Sequence, residues 1–187
     1  MNKSNNAMNV KNLTAAAICL ALCMILPIFT GQIPQIGMAL APMHIPVLLC
    51  GFIAGPAYAM IVGLVAPLLR MMIFGMPMPF MAITMCFELA TYGLVAGLLY
   101  KAFLKKIIYI YLSLIIAMLA GRIVWGLATL QMVNIAFLPP PPFITEQFGW
   151  NEFLAAAFIS AIPGIILHIV LIPVLVMALQ RARIIQN

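Results

Sequence analysis

The sequence predicts an all-α integral membrane protein: one membrane domain spanning residues 1–187, a bundle of six transmembrane helices with both termini on the cytoplasmic side. Three observations predict it. Hydrophobic residues make up 66% of the 187 positions and charged residues only 6%, against about 25% charged in soluble domains, and the mean hydropathy is +1.21. Such a chain cannot cover a water-facing surface. Apolar runs of about 20 residues recur, the length that crosses a bilayer as a helix, without the alternation of a membrane barrel. Finally, the lysines and arginines outside the apolar runs are distributed as topology signals rather than gathered into a basic patch, so the net charge of +6 does not point to a nucleic-acid partner.

The first helix is expected from Leu13 to Phe29, after a cytoplasmic tail of residues 1–12 that carries Lys3 and Lys11. This start mimics a signal peptide. No small-x-small cleavage site follows and Pro27 falls late in the run, so an uncleaved helix is expected. Residues 30–43, "TGQIPQIGMALAPM", form a loop too long for a tight turn and too apolar for a solvated linker. A short second helix, His44–Ile53, ends at the turn signal Gly55-Pro56. The third runs Tyr58–Phe74 and is punctuated by "GMPMP"; the fourth runs Phe80–Tyr100 and ends in "KAFLKK". The fifth is expected over Ile107–Val133. A proline-rich loop, residues 134–151, separates it from the sixth, Glu152–Leu179, and its four consecutive prolines should be extended and stiff.

With six spans, Lys3 and Lys11, then Lys101, Lys105 and Lys106, then Arg181 and Arg183 all fall on one side. The loops on the other side carry no lysine or arginine and hold Glu146 and Glu152. By the positive-inside rule the basic side is cytoplasmic and the long loops at 30–43 and 134–151 are external.

Three charges remain inside spans: Arg70, Glu88 and Arg122. An ionisable residue within a span is costly and by default marks function. At 1.5 Å per residue, Glu88 lies roughly 12 Å and Arg122 roughly 15 Å from the outer ends of consecutive helices, with Arg70 nearer the outer end of its own. An ion pair clamping two helices is one reading. A water-filled cavity open to the outside is the other, and the two are compatible. Two arginines against one glutamate would leave a positive excess for a carboxylate ligand to neutralise, unless Arg70 snorkels outward. Trp125 follows Arg122 on the same face and could stack on a planar ligand, while Thr84 and Tyr92 share the face of Glu88. Gln131 and Asn134 lie near the outer end of the fifth helix, and His44 at the entry of the second reads as a rim residue. His168, deeper in the sixth helix, reads as a structural hydrogen-bonding group. The four cysteines, Cys19, Cys23, Cys50 and Cys86, all sit in apolar runs and read as buried thiols. The spacings Ala17-x-x-x-Ala21, Gly51-x-x-x-Gly55, Gly93-x-x-x-Gly97 and Ala117-x-x-x-Gly121 would let helices approach closely.

Absences narrow the function. There is no P-loop, no H-E-x-x-H and no aspartate anywhere in the chain. The membrane region lacks the carboxylate pair that much acid–base chemistry needs, so no enzyme, metal or cofactor is expected.

Taken together, the chain resembles the substrate-binding S component of energy-coupling factor transporters. The stretches "HIPVLLCGFIAGPAYAMIVGLVAPLLRMMIFGMP", "FELATYGLVAGLLY" and "LAGRIVWG" carry the likeness, and "AICLA" matches the Ala-x-x-x-Ala motif of the family's first helix. The resemblance implies a membrane-embedded vitamin-binding subunit of the bacterial cell membrane. Ala17 and Ala21 would contact a transmembrane T component, two separate ATPase subunits would supply energy, and the loop at 30–43 would act as an external lid. A carboxylate cargo such as pantothenate is expected slightly ahead of a pyridoxine-like or pyrimidine compound. The rival functions are a self-sufficient carrier or channel and a structural subunit without ligand.

Overall fold

The computed structural model describes residues 3–29, 40–103, 107–135, 153–155 and 162–182, with side chains from residue 10. Among them there are six helices: α1 (Lys3–Phe29), α2 (His44–Ile53), α3 (Pro56–Phe74), α4 (Pro79–Ala102), α5 (Ile107–Ile135) and α6 (Ile162–Arg181). Most of the expected lid at 30–43 and of the proline-rich loop lies outside the described residues, as do Lys105, Lys106, Glu146, Glu152 and Arg183.

Five of the six helices are long and apolar enough to cross a membrane. The exception is α2. Its 10 residues reach about 15 Å, half of a hydrocarbon core of about 30 Å. Where it sits follows from its contacts. Phe52, near its C-terminus, packs edge-on against Tyr100 near the C-terminus of α4, with ring centroids 5.1 Å apart. His44, at its N-terminus, packs on Tyr92 in the middle of α4. The chain therefore enters α2 at mid-depth, and His44 is buried inside the bundle rather than placed at its rim. Ala41 makes the entry with a left-handed backbone (φ 45°), a conformation costing an alanine about 1–2 kcal/mol, and its carbonyl accepts the His44 N–H at 3.0 Å.

Turn chemistry sets the remaining boundaries. Gly55 (φ 95°) supplies the backbone between α2 and α3 that a side chain would strain, and Pro56 opens α3 where a missing N–H costs nothing. Gly75 (φ 69°) closes α3 in the left-handed form with its N–H on the Met71 carbonyl, and Pro79 opens α4.

Small residues let α2, α3 and α4 pack backbone to backbone. A Cβ on Gly63 would fall against the Leu89 and Ala90 backbone, one on Gly93 against Ala59, and one on Gly51 against Gly93 and Gly97. Gly51, Gly93 and Gly97 thus serve close approach, as their spacing predicts. Gly55 does not, since nothing lies near its missing Cβ.

The α3–α4 pairing runs antiparallel, and Gln180 of α6 donates to the Tyr100 hydroxyl at 2.8 Å. Arg70 of α3 meets Met24 of α1, so α1 runs parallel to α3. These contacts bring Lys11, Lys101 and Arg181 to one end of the bundle. All four cysteines are buried and free.

Arg70 has a structural partner. Its Nη1 donates to the Met24 carbonyl at 2.8 Å, and its guanidinium lies 5.0 Å from the centroid of the Phe74 ring. Three residues beyond Met24, Pro27 interrupts the backbone ladder of α1, and Arg70 supplies a donor where that ladder is weakened. Arg70→Met keeps much of the bulk and removes the charged donor. It is expected to lower the unfolding free energy in mixed micelles by about 1.5–3 kcal/mol, the worth of a hydrogen bond to a charged group.

Candidate functional site

Glu88 is the acceptor at the centre of the bundle. It is 2% exposed, and one carboxylate oxygen gathers three side chains from three helices. Arg122 Nη1 of α5 lies 3.1 Å away. The Tyr92 hydroxyl, one turn along α4, donates at 3.0 Å. His44 Nε2 of α2 stands at 3.6 Å, an electrostatic contact outside hydrogen-bond range. Each approach has a local cause. Tyr92 reaches Glu88 because residues four apart share a helix face, and its ring fits because α5 carries Gly121 there: a Cβ at Gly121 would fall inside the Tyr92 ring. The Ala117-x-x-x-Gly121 spacing thus serves the site as well as packing.

A fourth helix joins the cluster. His168 of α6 is 2% exposed and lies nearly parallel to His44, with centroids 5.8 Å and planes 18° apart. It also hydrogen-bonds the backbone of Ala41. The sequence places His168 in an apolar helix, which flags it. The stack on a residue 124 positions away could not be read from spacing.

The cluster is only partly satisfied. Among the described residues, both ring nitrogens of His44, Nε2 of His168 and Nε of Arg122 are buried without a hydrogen-bond partner. Native proteins pair the large majority of such atoms. Four such atoms gather around the Glu88–Arg122 pair.

The other candidates stand apart from this centre. Arg70 forms no ion pair among the described residues and is committed to Met24 and Phe74. The argument from excess positive charge therefore loses its second arginine: Glu88 and Arg122 are a balanced pair. Thr84 is buried on the face of Glu88, but its hydroxyl is placed on its own helix, against the Phe80 and Met81 carbonyls at 3.3 and 3.2 Å. Trp125 is buried and packs with Phe80 in a small second core joined by Met81, Met132, Val133 and Phe153. It forms apolar packing one turn beyond Arg122. Gln131 and Asn134 are exposed at the end of α5. Ala17 and Ala21 lie on the exposed side of α1, while Ala16, Cys19 and Cys23 face the core.

Arg122, 12% exposed at its side chain, also borders a cavity of about 180 Å³ between α5 and α6. Its other walls are aliphatic: Ile115, Met118, Leu119, Ile165 and Ile169. The arginine is thus the polar end of an apolar space, in contact with the cluster on one side and the α5–α6 seam on the other.

A family model described as "ECF transporter, substrate-specific component" matches residues 11–180. No curated protein and no solved structure matches the chain.

Proposed function

The chain belongs to the substrate-specific components of energy-coupling factor (ECF) transporters, multi-pass membrane subunits that bind substrate for an importer whose T component and ATPases are separate chains; on that premise we propose that its cargo site is built on Glu88, Arg122, Tyr92 and His44. The observation that carries this reading is the concentration of orphaned polar atoms around Glu88 within an otherwise apolar bundle. A bundle needing only an ion-pair clamp would not leave them. Trp125 and Thr84 support the site from the packing next to it, and Asn134 stands at the external end of α5 in this reading. Arg70 holds α1 against α3.

The basic end of the bundle faces the cytoplasm in this reading, so the loops at 30–43 and 134–151 lie outside and the former closes over the bound cargo. The exposed Ala17 and Ala21 form the part of α1 that docks on the T component. The cargo is a water-soluble vitamin or related micronutrient. Of the two classes weighed from sequence, a pantothenate-like carboxylate depended on a second free arginine, and Arg70 is not free. A pyridoxine-like or pyrimidine compound loses Trp125 as a stacking partner, which packs with Phe80, and keeps Glu88 and Tyr92.

Binding to the folded state raises the melting temperature with ligand concentration. Purified protein screened against B vitamins and their precursors should show one such shift, without any ATPase present. The shift should vanish in the folded Glu88→Gln/Arg122→Gln double variant. A hit that survives the double variant would make the pair a helix clamp and place the site elsewhere. Uptake of the hit by the chain alone in vesicles would favour a self-sufficient carrier.

A further inference from the structure

The stacked imidazoles carry a statement about the cargo, and it rests on the cargo site lying at Glu88. Their unmet bonds have a definite polarity. The Ala41 backbone is an acceptor for His168, so the bonded nitrogen carries the hydrogen and the free Nε2 is an acceptor. His44, in its neutral form, offers one donor and one acceptor, both unpaired. The free Nε of Arg122 is a donor. Two donors and two acceptors therefore wait on three helices, around a Glu88–Arg122 pair that already balances its own charge.

We infer that His44 and His168 read the cargo, and that the cargo is an uncharged nitrogen heterocycle presenting both N–H and acceptor groups along one edge. A carboxylate fits this arrangement poorly. It supplies acceptors only, so the acceptor nitrogens of both histidines would remain unmet, and it would bring a second negative charge beside Glu88. A ring edge that donates and accepts answers both kinds of atom. Its neutrality spares the bundle an uncompensated charge.

The test uses matched probes on the full chain in detergent micelles: uracil with orotate, nicotinamide with nicotinate, and pyridoxine with 4-pyridoxate. Affinities are measured by thermal shift and calorimetry. At least one uncharged member should bind ten-fold or more tightly than its carboxylate partner. His44→Phe and His168→Phe keep a ring in place and remove the nitrogens. Each should weaken that binding ten-fold or more. His44→Phe should leave the ligand-free melting temperature unchanged or higher, because two orphaned buried nitrogens are lost, whereas His168→Phe also gives up the bond to the Ala41 backbone and should lower it. A merely structural His44 would instead lower the ligand-free melting temperature on substitution. Tighter binding of the carboxylate members, lost in the Glu88→Gln/Arg122→Gln variant, would overturn the inference and leave the cargo site standing. Unchanged binding of the uncharged member in both phenylalanine variants would also overturn it. Silence across the whole panel would overturn the inference and the cargo site together.

Discussion

Arg122→Ala is expected to lower the unfolding free energy by about 3–5 kcal/mol, the cost of stripping one partner from a buried ion pair. The geometry sets the size of the effect. Glu88 is 2% exposed, and Arg122 is the only cation among its described partners. Without it the carboxylate keeps the Tyr92 hydroxyl and a histidine at 3.6 Å. Neither supplies a fixed positive charge. The Glu88→Gln/Arg122→Met double variant should recover most of the loss, since removing both charges leaves two groups that pack. Unfolding in mixed micelles, followed by tryptophan fluorescence, measures all three proteins. An Arg122→Ala cost below about 1 kcal/mol, typical of exposed pairs, would mean that water already reaches Glu88.

The same pair shows how far a sequence read alone could go. Glu88 and Arg122 were legible because charges within apolar runs are few, and because depth along a helix follows from residue count. Tyr92 was legible from its i, i+4 relation to Glu88. Arg70 was misleading for the same reason that it was noticed: depth gives no azimuth. Nothing in the sequence says that α3 turns this residue toward the Met24 carbonyl and away from Glu88. His44 was placed by the assumption that a helix following an external loop begins at the surface. α2 instead starts at mid-depth, and the left-handed backbone at Ala41 just before it leaves no mark in composition. His168 needed a contact across 124 residues. The ends of the middle helices followed from glycine, proline and hydropathy, because those signals are local; α1 instead begins at Lys3, where a polar tail was expected before Leu13, and α6 begins at Ile162 rather than Glu152. The cluster depends on helix rotation, which is decided by packing.

Rotation and depth at Glu88 are held chiefly by the α3–α4 seam, so Gly63→Ala should be costly for stability and site alike. Its Cβ would meet the Leu89 carbonyl and the Ala90 nitrogen. These are backbone atoms that cannot swing aside as a side chain would. The two helices must separate, and the expected cost is about 3 kcal/mol, the upper part of the range for overpacking. Leu89 and Ala90 immediately follow Glu88, so the displacement passes directly to the carboxylate. Its 3.1 Å contact with Arg122 and 3.0 Å bond from Tyr92 would both be disturbed. Cargo affinity should therefore fall in the fraction that remains folded, as well as through the smaller folded population. Measuring the melting temperature with and without a bound ligand separates the two losses. Wild-type stability in Gly63→Ala would mean that α3 and α4 lie further apart than described, and that another contact fixes the depth of Glu88.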